Sequence, residues 1–305
     1  MSGYITDIKG ISVGHSTDSD ALTGCTAVLF ENGAVGGVDV RGSAPGTRET
    51  DLMRGYNAVE RINAVMLCGG SAYGLDAASG AMKFLEERSR GVDVGVGVVP
   101  IVPAAVIFDL AIGRCDVRPD KASGYEACSN AVSGRFATGS VGVGAGATLG
   151  KAYGMQYASK SGVGTSCLEL GNGIKVGAII AVNALGDVYN PDTGKIVCGA
   201  AKDGKFLNCM NAAINAEFAS TNTTIGVIAT NARLTREEAN KLASIGHDGL
   251  AMCIRPVHTA NDGDTLFAMA TCEKDGVPFA SLMVGAVKAV CAAVLDAVSY
   301  RKDEK

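Results

Sequence analysis

A side chain able to act as a nucleophile stands at Thr223, where a polar segment enters an apolar run. Residues 222–231 read Asn-Thr-Thr-Ile-Gly-Val-Ile-Ala-Thr-Asn. β-Branched residues dominate, and Ile225, Val227 and Ala229 alternate with small or polar neighbours, the period of a buried strand. The preceding residues 217–221, Glu-Phe-Ala-Ser-Thr, have a looser character, so Thr223 lies where a loop enters the strand. A cut before Thr223 would place its hydroxyl and a new α-amino group on one residue. Such an amine titrates at about 7.7–8.0 and so serves as a base near neutral pH. Most Thr-rich strand starts are only strand starts, and Asn222-Thr223-Thr224 also fits an N-glycosylation acceptor. The remainder of the chain has to decide among these readings.

Other candidates lie at the ends of apolar runs. The glycine-rich stretch 140–151 ends in Lys151 but fits neither phosphate-binding pattern. Ala145 stands where a Walker A loop needs Gly, Ala152 replaces its Ser/Thr, and Ala147 replaces the third Gly of a dinucleotide fingerprint. Glycine there is expected to let backbone pass close to the core or a ligand. Asn183 ends the strand-like run 175–183 as an amide at a sheet edge, or as a turn residue. Asn261-Asp262-Gly263-Asp264-Thr265 is a tight acidic turn, without the further oxygen ligands of an EF-hand. Ser71 follows two glycines but does not meet the G-x-S-x-G elbow. The loop from Arg41 to Thr50, with two Arg, two Gly and a Pro, is a solvated connection, a carboxylate site or a subunit contact.

Elements that must position these groups are readable along the chain. Residues 28–30 and 34–40 predict two strands joined by a turn at Glu31-Asn32-Gly33. Residues 64–68 predict a buried strand, and residues 75–87 a helix with Ala77, Ala78, Ala81, Phe84 and Leu85 as its apolar stripe. Thr235-Arg236-Glu237-Glu238 is a capping box opening a helix that reaches Gly246. Residues 266–270 form a further strand, and residues 280–300 a long Ala/Val-rich helix that must be buried on several sides. Lys288, Asp296 and Arg301 argue against its spanning a membrane. Residues 192–217 have mixed character and read as a mobile or processed segment. The alternation suits a layered α+β domain over residues 1–305.

Composition narrows the class. Of 305 residues, 47% are apolar and 19% charged, so a large core is expected; Trp is absent and Gly numbers 41, which favours close-packed Ala, Val and Gly layers. The formal net charge of −4, with no basic run before Arg301-Lys302, argues against a nucleic-acid partner. Ten cysteines are scattered singly without C-x-x-C, and read as reduced, buried small hydrophobes of a cytoplasmic protein. No leader is expected from residues 1–7. His15, His247 and His258 are too dispersed for a metal site, and neither metal nor cofactor is assigned.

Taken together, these pieces resemble the P1 family peptidases, the self-processing group of L-aminopeptidase/D-esterase, β-peptidyl aminopeptidases and nylon-oligomer hydrolase. The resemblance covers nearly the whole chain. It rests on Arg41-Gly42 with residues 45–50, Gly69-Gly70-Ser71-Ala72-Tyr73-Gly74-Leu75, Val102-Pro103 with Ile107-Phe108-Asp109-Leu110, residues 146–151, Val182-Asn183, Asn222-Thr223-Thr224 and residues 261–265. It implies a four-layer αββα sandwich similar to N-terminal nucleophile hydrolases. It also implies self-cleavage between Asn222 and Thr223 into an α part, 1–222, and a β part, 223–305. Thr223 would then be the nucleophile and its freed amine the base. Asn183 would donate to the oxyanion, Lys151 would lie nearby, and Asp262 and Asp264 would position the nucleophile or hold its charge. Phe108 and Tyr73 are assigned to the substrate pocket. Some relatives carry Tyr where Phe108 aligns, so either another donor serves here or the substrate differs.

Three functions follow: an autoprocessing hydrolase of small peptides or amide oligomers, an acyltransferase of the ornithine acetyltransferase type, or a binding protein on the same fold. Loss of activity in Thr223→Ala marks the first, amine-dependent product the second, and an uncut inert chain the third. The resemblance and the apolar Ala/Gly faces imply a homo-oligomer, such as a tetramer of αβ units, with no membrane partner.

Overall fold

The computed structural model describes residues 3–213 and 222–299. The strands that matter here are β1 (Ile11–Asp18), β2 (Thr23–Val40), β3 (Thr47–Arg48), β4 (Arg61–Cys68), β5 (Ala104–Val106), β6 (Val163–Gly171), β7 (Ile174–Asn183), β8 (Thr223–Ala232) and β9 (Thr265–Lys274). They form one nine-stranded hydrogen-bonded network in the order β6-β7-β8-β9-β2-β4-β5-β3, with β1 also on β2. Four helices cover it: α1 (Ala77–Glu86), α2 (Lys121–Ser129), α3 (Arg236–Cys253) and α4 (Phe279–Ser299).

β2 belongs to two leaves of this network. Its first half lies between β1 and β4, whereas Val35–Val40 pair with β9. The turn expected at Glu31-Asn32-Gly33 is therefore not a reversal. Those residues form an irregularity between Leu29 and Ala34 in the β2–β4 register, with Gly33 at φ +66°, and the strand continues. An irregularity of this kind bends and twists a strand without ending it, which lets one segment serve both leaves.

Side-chain parity then sorts the core into three slabs. Ile225, Val227 and Ala229 of β8, Ile179 and Ala181 of β7, and Phe267 and Met269 of β9 face Val28, Phe30, Val65, Leu67 and Ala105 across the space between the leaves. The alternate residues Ala178, Ile180, Val182, Ile228, Leu266 and Ala268 pack under α3 and α4. On the other leaf, Cys25, Ala27, Leu29, Ala64, Met66 and Cys68 pack under α1 and α2. Strands with period 2 and both faces buried read as continuous apolar runs, as these do. Three slabs between helix, sheet, sheet and helix make the α+β fold an αββα sandwich, as the resemblance implied.

The stripe Ala77, Ala78, Ala81, Phe84 and Leu85 is buried as expected. The Thr235 capping box is present, with Glu238 N–H donating to Thr235 Oγ1 at 3.2 Å and Thr235 N–H donating to Glu238 Oε2 at 2.9 Å. Its helix does not stop at Gly246 but runs to Cys253. Gly246 lies where an added Cβ would fall 2.2 Å from Ile228 Cδ1, so the missing side chain permits close helix–sheet packing. α4 is long and apolar enough to cross a bilayer, yet Leu282, Ala286, Ala289, Val290, Ala293, Val294 and Ala297 are buried in the slab beneath it. Of the segment 192–217, residues 192–213 carry short strands and the helix Cys209–Ala213. Residues 214–217, like the looser stretch 217–221, lie outside the described residues.

Candidate active site

Three chain segments meet where β8 begins. Thr223 is the register partner of Asn183, the last residue of β7, and Asn222 forms a parallel bridge with Asp262 in the turn before β9. The Arg41–Pro45 loop closes over that turn through its backbone, with Arg41 N–H donating to Asp264 O (3.0 Å) and Ala44 N–H to Asp262 O (2.9 Å). The arginines themselves point elsewhere. Arg41 binds Asp39 and Ser244, and Arg48 binds Ser79. The loop thus serves as a backbone brace.

On one side of Thr223, Asn183 is held by its whole carboxamide. Nδ2 donates to Phe108 O at 3.0 Å, and Oδ1 accepts from Lys151 Nζ at 2.7 Å and from Thr148 N–H at 3.1 Å. Lys151 also donates to Asn183 O at 3.2 Å. The glycine-rich stretch delivers this lysine by passing close to buried Asp109, where Gly146 has no room for a Cβ (2.4 Å from Asp109 Cβ). Asp109 accepts from Gly70 N–H (2.6 Å) and Thr23 Oγ1 (2.7 Å), anchoring the segment that carries Phe108. Burial pushes Lys151 down to about 7, although Asp262 and Asp109 pull it back up.

On the other side stand the two carboxylates. Asp264 Oδ1 accepts from Thr224 N–H at 2.6 Å, and its Oδ2 meets His258 twice, at the backbone N–H (3.1 Å) and at Nδ1 (2.7 Å). Asp262 Oδ2 accepts from Thr259 N–H at 2.6 Å. Burial first, then the neighbouring Asp264, raises Asp262 to about 6. His247 packs edge-on against His258, ring centroids 4.8 Å apart, and burial lowers it to about 4.

At the centre, the Thr223 hydroxyl donates to the carbonyl oxygen of Asn222, the residue whose bond it would break. The same oxygen accepts from Gly263 N–H at 3.2 Å. Asn222 Nδ2 and Oδ1, Asp262 Oδ1 and His258 Nε2 are buried with no hydrogen-bond partner among the described residues. Each such atom costs roughly 1–3 kcal/mol, and clusters of them mark places kept for something other than stability. A hydroxyl against a carbonyl, beside buried ionisable groups, is an arrangement for acyl transfer.

Thr223, Asn222, Asn183, Lys151, Asp262 and Asp264 are thus gathered at one strand end. Phe108 joins them through its backbone oxygen, so its lack of a hydroxyl does not remove it from the site. Tyr73 is not gathered in. It is 62% exposed, and its ring carries the Arg118 guanidinium 4.1 Å from its centroid. Sequence reasoning missed His258, Asp109 and Thr148. The available signals were that His258 lies six residues before Asp264 and that Asp109 follows Phe108 within a quoted motif.

The chain is similar over most of its length to known proteins. Residues 3–300 match peptidase family S58. An uncharacterised aminopeptidase of Mycobacterium tuberculosis is 46% identical over 286 residues, covering 88% of this chain and 81% of its own. The 6-aminohexanoate-oligomer endohydrolase of Paenarthrobacter ureafaciens is 33% identical over 278 residues, covering 88% and 75%. Among solved structures, the L-aminopeptidase D-Ala-esterase/amidase of Ochrobactrum anthropi, a variant of the Ntn hydrolase fold, superposes with a TM-score of 0.73 over 96% of this chain and 85% of its own, at 20% identity. A Burkholderia β-aminopeptidase gives 0.69 over the same shares, also at 20%. These two likenesses establish the Ntn-type fold. A match running from residue 3 to residue 300 takes in every layer and every strand end described above, and the chain therefore belongs to peptidase family S58, hydrolases of peptide and amide bonds.

Proposed function

We propose that the chain cuts itself between Asn222 and Thr223 and then uses Thr223 to hydrolyse amide bonds of short peptides or amide oligomers. The observation that carries this reading is the Thr223 hydroxyl lying on the Asn222 carbonyl at a buried strand start. In the first step Oγ1 attacks the Asn222 carbonyl carbon and the proton passes to the leaving Thr223 nitrogen. An amide thereby becomes an ester. Water then releases the Asn222 carboxylate, leaving Thr223 with a free α-amine. In turnover that amine takes the Oγ1 proton as Oγ1 attacks the substrate carbonyl and gives it to the leaving amine. Water, deprotonated by the same amine, then attacks the Oγ1 ester, releasing the acid and returning the proton to Oγ1. Asn183 supplies an amide N–H toward the developing oxyanion, and Lys151 fixes its carboxamide through Oδ1. Asp264, bonded to Thr224 N–H, holds the register of the residue after the nucleophile. The relatives' names, aminopeptidase and 6-aminohexanoate-oligomer endohydrolase, support substrates ranging from α-peptides to longer ω-amino-acid amides.

Intact mass under denaturing conditions tests this reading. Two fragments meeting at Asn222/Thr223 in the natural chain, and one inactive chain in Thr223→Ala, are expected. Cleavage or amide turnover that survives Thr223→Ala overturns it. Our reading also includes a homo-oligomer acting in the cytoplasm. Free thiols at all ten cysteines favour a reducing compartment. Met252 (45%) on α3 and Val284 (58%) on α4 are exposed apolar side chains open to contact with a second copy. Light scattering of the cleaved protein distinguishes a tetramer from a monomer.

A further inference from the structure

We infer that the backbone N–H of Gly263 is a second oxyanion donor at this site, beside the Asn183 amide, both for the scissile Asn222 carbonyl and for the substrate carbonyl that later replaces it. The inference rests on Thr223 being the nucleophile. An N–H donating across a parallel bridge is ordinary in itself. Here the acceptor is the carbonyl under attack. Asn222 O receives Gly263 N–H at 3.2 Å, and the Thr223 hydroxyl lies on the same oxygen. As Oγ1 bonds to the carbonyl carbon, the C=O electron pair moves onto that oxygen, so a donor already in place strengthens as charge develops.

The residue type at position 263 follows from the same geometry. A Cβ on Gly263 would stand 2.9 Å from Thr223 Oγ1 and 2.8 Å from Ala44 O. Any side chain would therefore intrude on the nucleophile from the direction of the donor. The donor is also rigid. Ala44 N–H holds Asp262 O from one side and Thr259 N–H holds the Asp262 carboxylate from the other, so the amide that follows cannot swing away. Because Oγ1 attacks both carbonyls from one place, a substrate carbonyl in reach of Thr223 comes to lie where Asn222 O lay, on the same N–H.

The test replaces this amide alone by an ester, with glycolic acid incorporated in place of Gly263. Oxygen then stands where the N–H was and no side chain changes. Wild-type cleavage at Asn222/Thr223, absent in Thr223→Ala, first establishes the nucleophile independently. The ester is then expected to slow self-cleavage roughly a hundredfold, and to lower kcat for an amide substrate by a similar factor with little change in KM. A cooperative melt of the ester in the Thr223→Ala background shows that the fold is retained. In that same background, a ¹³C label on the Asn222 carbonyl is expected to move to higher infrared frequency in the ester, reporting the lost bond without any turnover. An ester that cleaves itself and turns over at the amide's rate, or an unmoved carbonyl band, overturns the inference.

Discussion

Lys151 has the opposite electrostatic fate from Asp262, although the two belong to one buried site. Burial lowers the lysine to about 7 and raises the aspartate to about 6, so both are driven toward their neutral forms. The consequences for stability have opposite signs. Between pH 7 and the ordinary lysine value of 10.5, the unfolded chain holds a proton on Lys151 that the folded chain has lost, so stability rises with pH. Between 3.8 and about 6 the folded chain keeps a proton on Asp262 that the unfolded chain has lost, so stability falls as pH rises. In the uncleavable Thr223→Ala background, the free energy from urea unfolding should climb above pH 7 by up to about 1.4 kcal/mol per pH unit. Lys151→Met should flatten that climb, and an unchanged slope would show that the lysine keeps its proton in the fold. Residues of this kind were legible in the sequence because each ends a strand or a turn with a polar group. His258 and Asp109 were not, since their roles come from partners, Asp264 and Gly70, that only the folded chain brings to them.

Elements were legible wherever local rules and tertiary packing agree. The Thr235 box signalled the start of α3, and the structure has both of its reciprocal bonds. Thr235→Ala should cost about 1 kcal/mol in denaturant unfolding while leaving the rate of self-cleavage unchanged, because α3 starts at the end of β8 opposite to Thr223. A change in the cleavage rate would mean that the helix start is coupled to the site. Where local rules and packing disagree, packing decides. Gly246 reads as a helix stop, yet α3 continues because Ile228 occupies the space a side chain would need. Glu31-Asn32-Gly33 reads as a hairpin turn, yet β9 receives Val35–Val40 and keeps β2 extended. Neither partner is near in sequence, so neither outcome could be read from the segment itself.

At the scale of the whole molecule, the proposed cut falls where it cannot take the protein apart. The part beginning at Thr223 contributes β8 and β9, which stand side by side in the middle of one leaf. β8 is hydrogen-bonded to β7 on its far edge and β9 to β2 on the other, and both of those strands precede the cut. The helices of the same part cover this leaf, α4 over β6 and β7 and α3 over β9 and β2, sharing a slab with Ala178, Ile180 and Val182. Separating the two products would break two strand ladders and expose that slab to water, at roughly 25 cal/mol for each Å² of apolar surface. The cut chain should therefore run as one species on a sizing column and melt in a single transition. Its two fragments should separate only in denaturant. Fragments that part on the column under native conditions would mean that β8 does not hold its place between the halves. Thr223, 6% exposed at the head of β8, would then have no fixed position from which to attack. Cohesion after cleavage is thus a condition of the chemistry, because the ladder that keeps the halves together also aims the nucleophile.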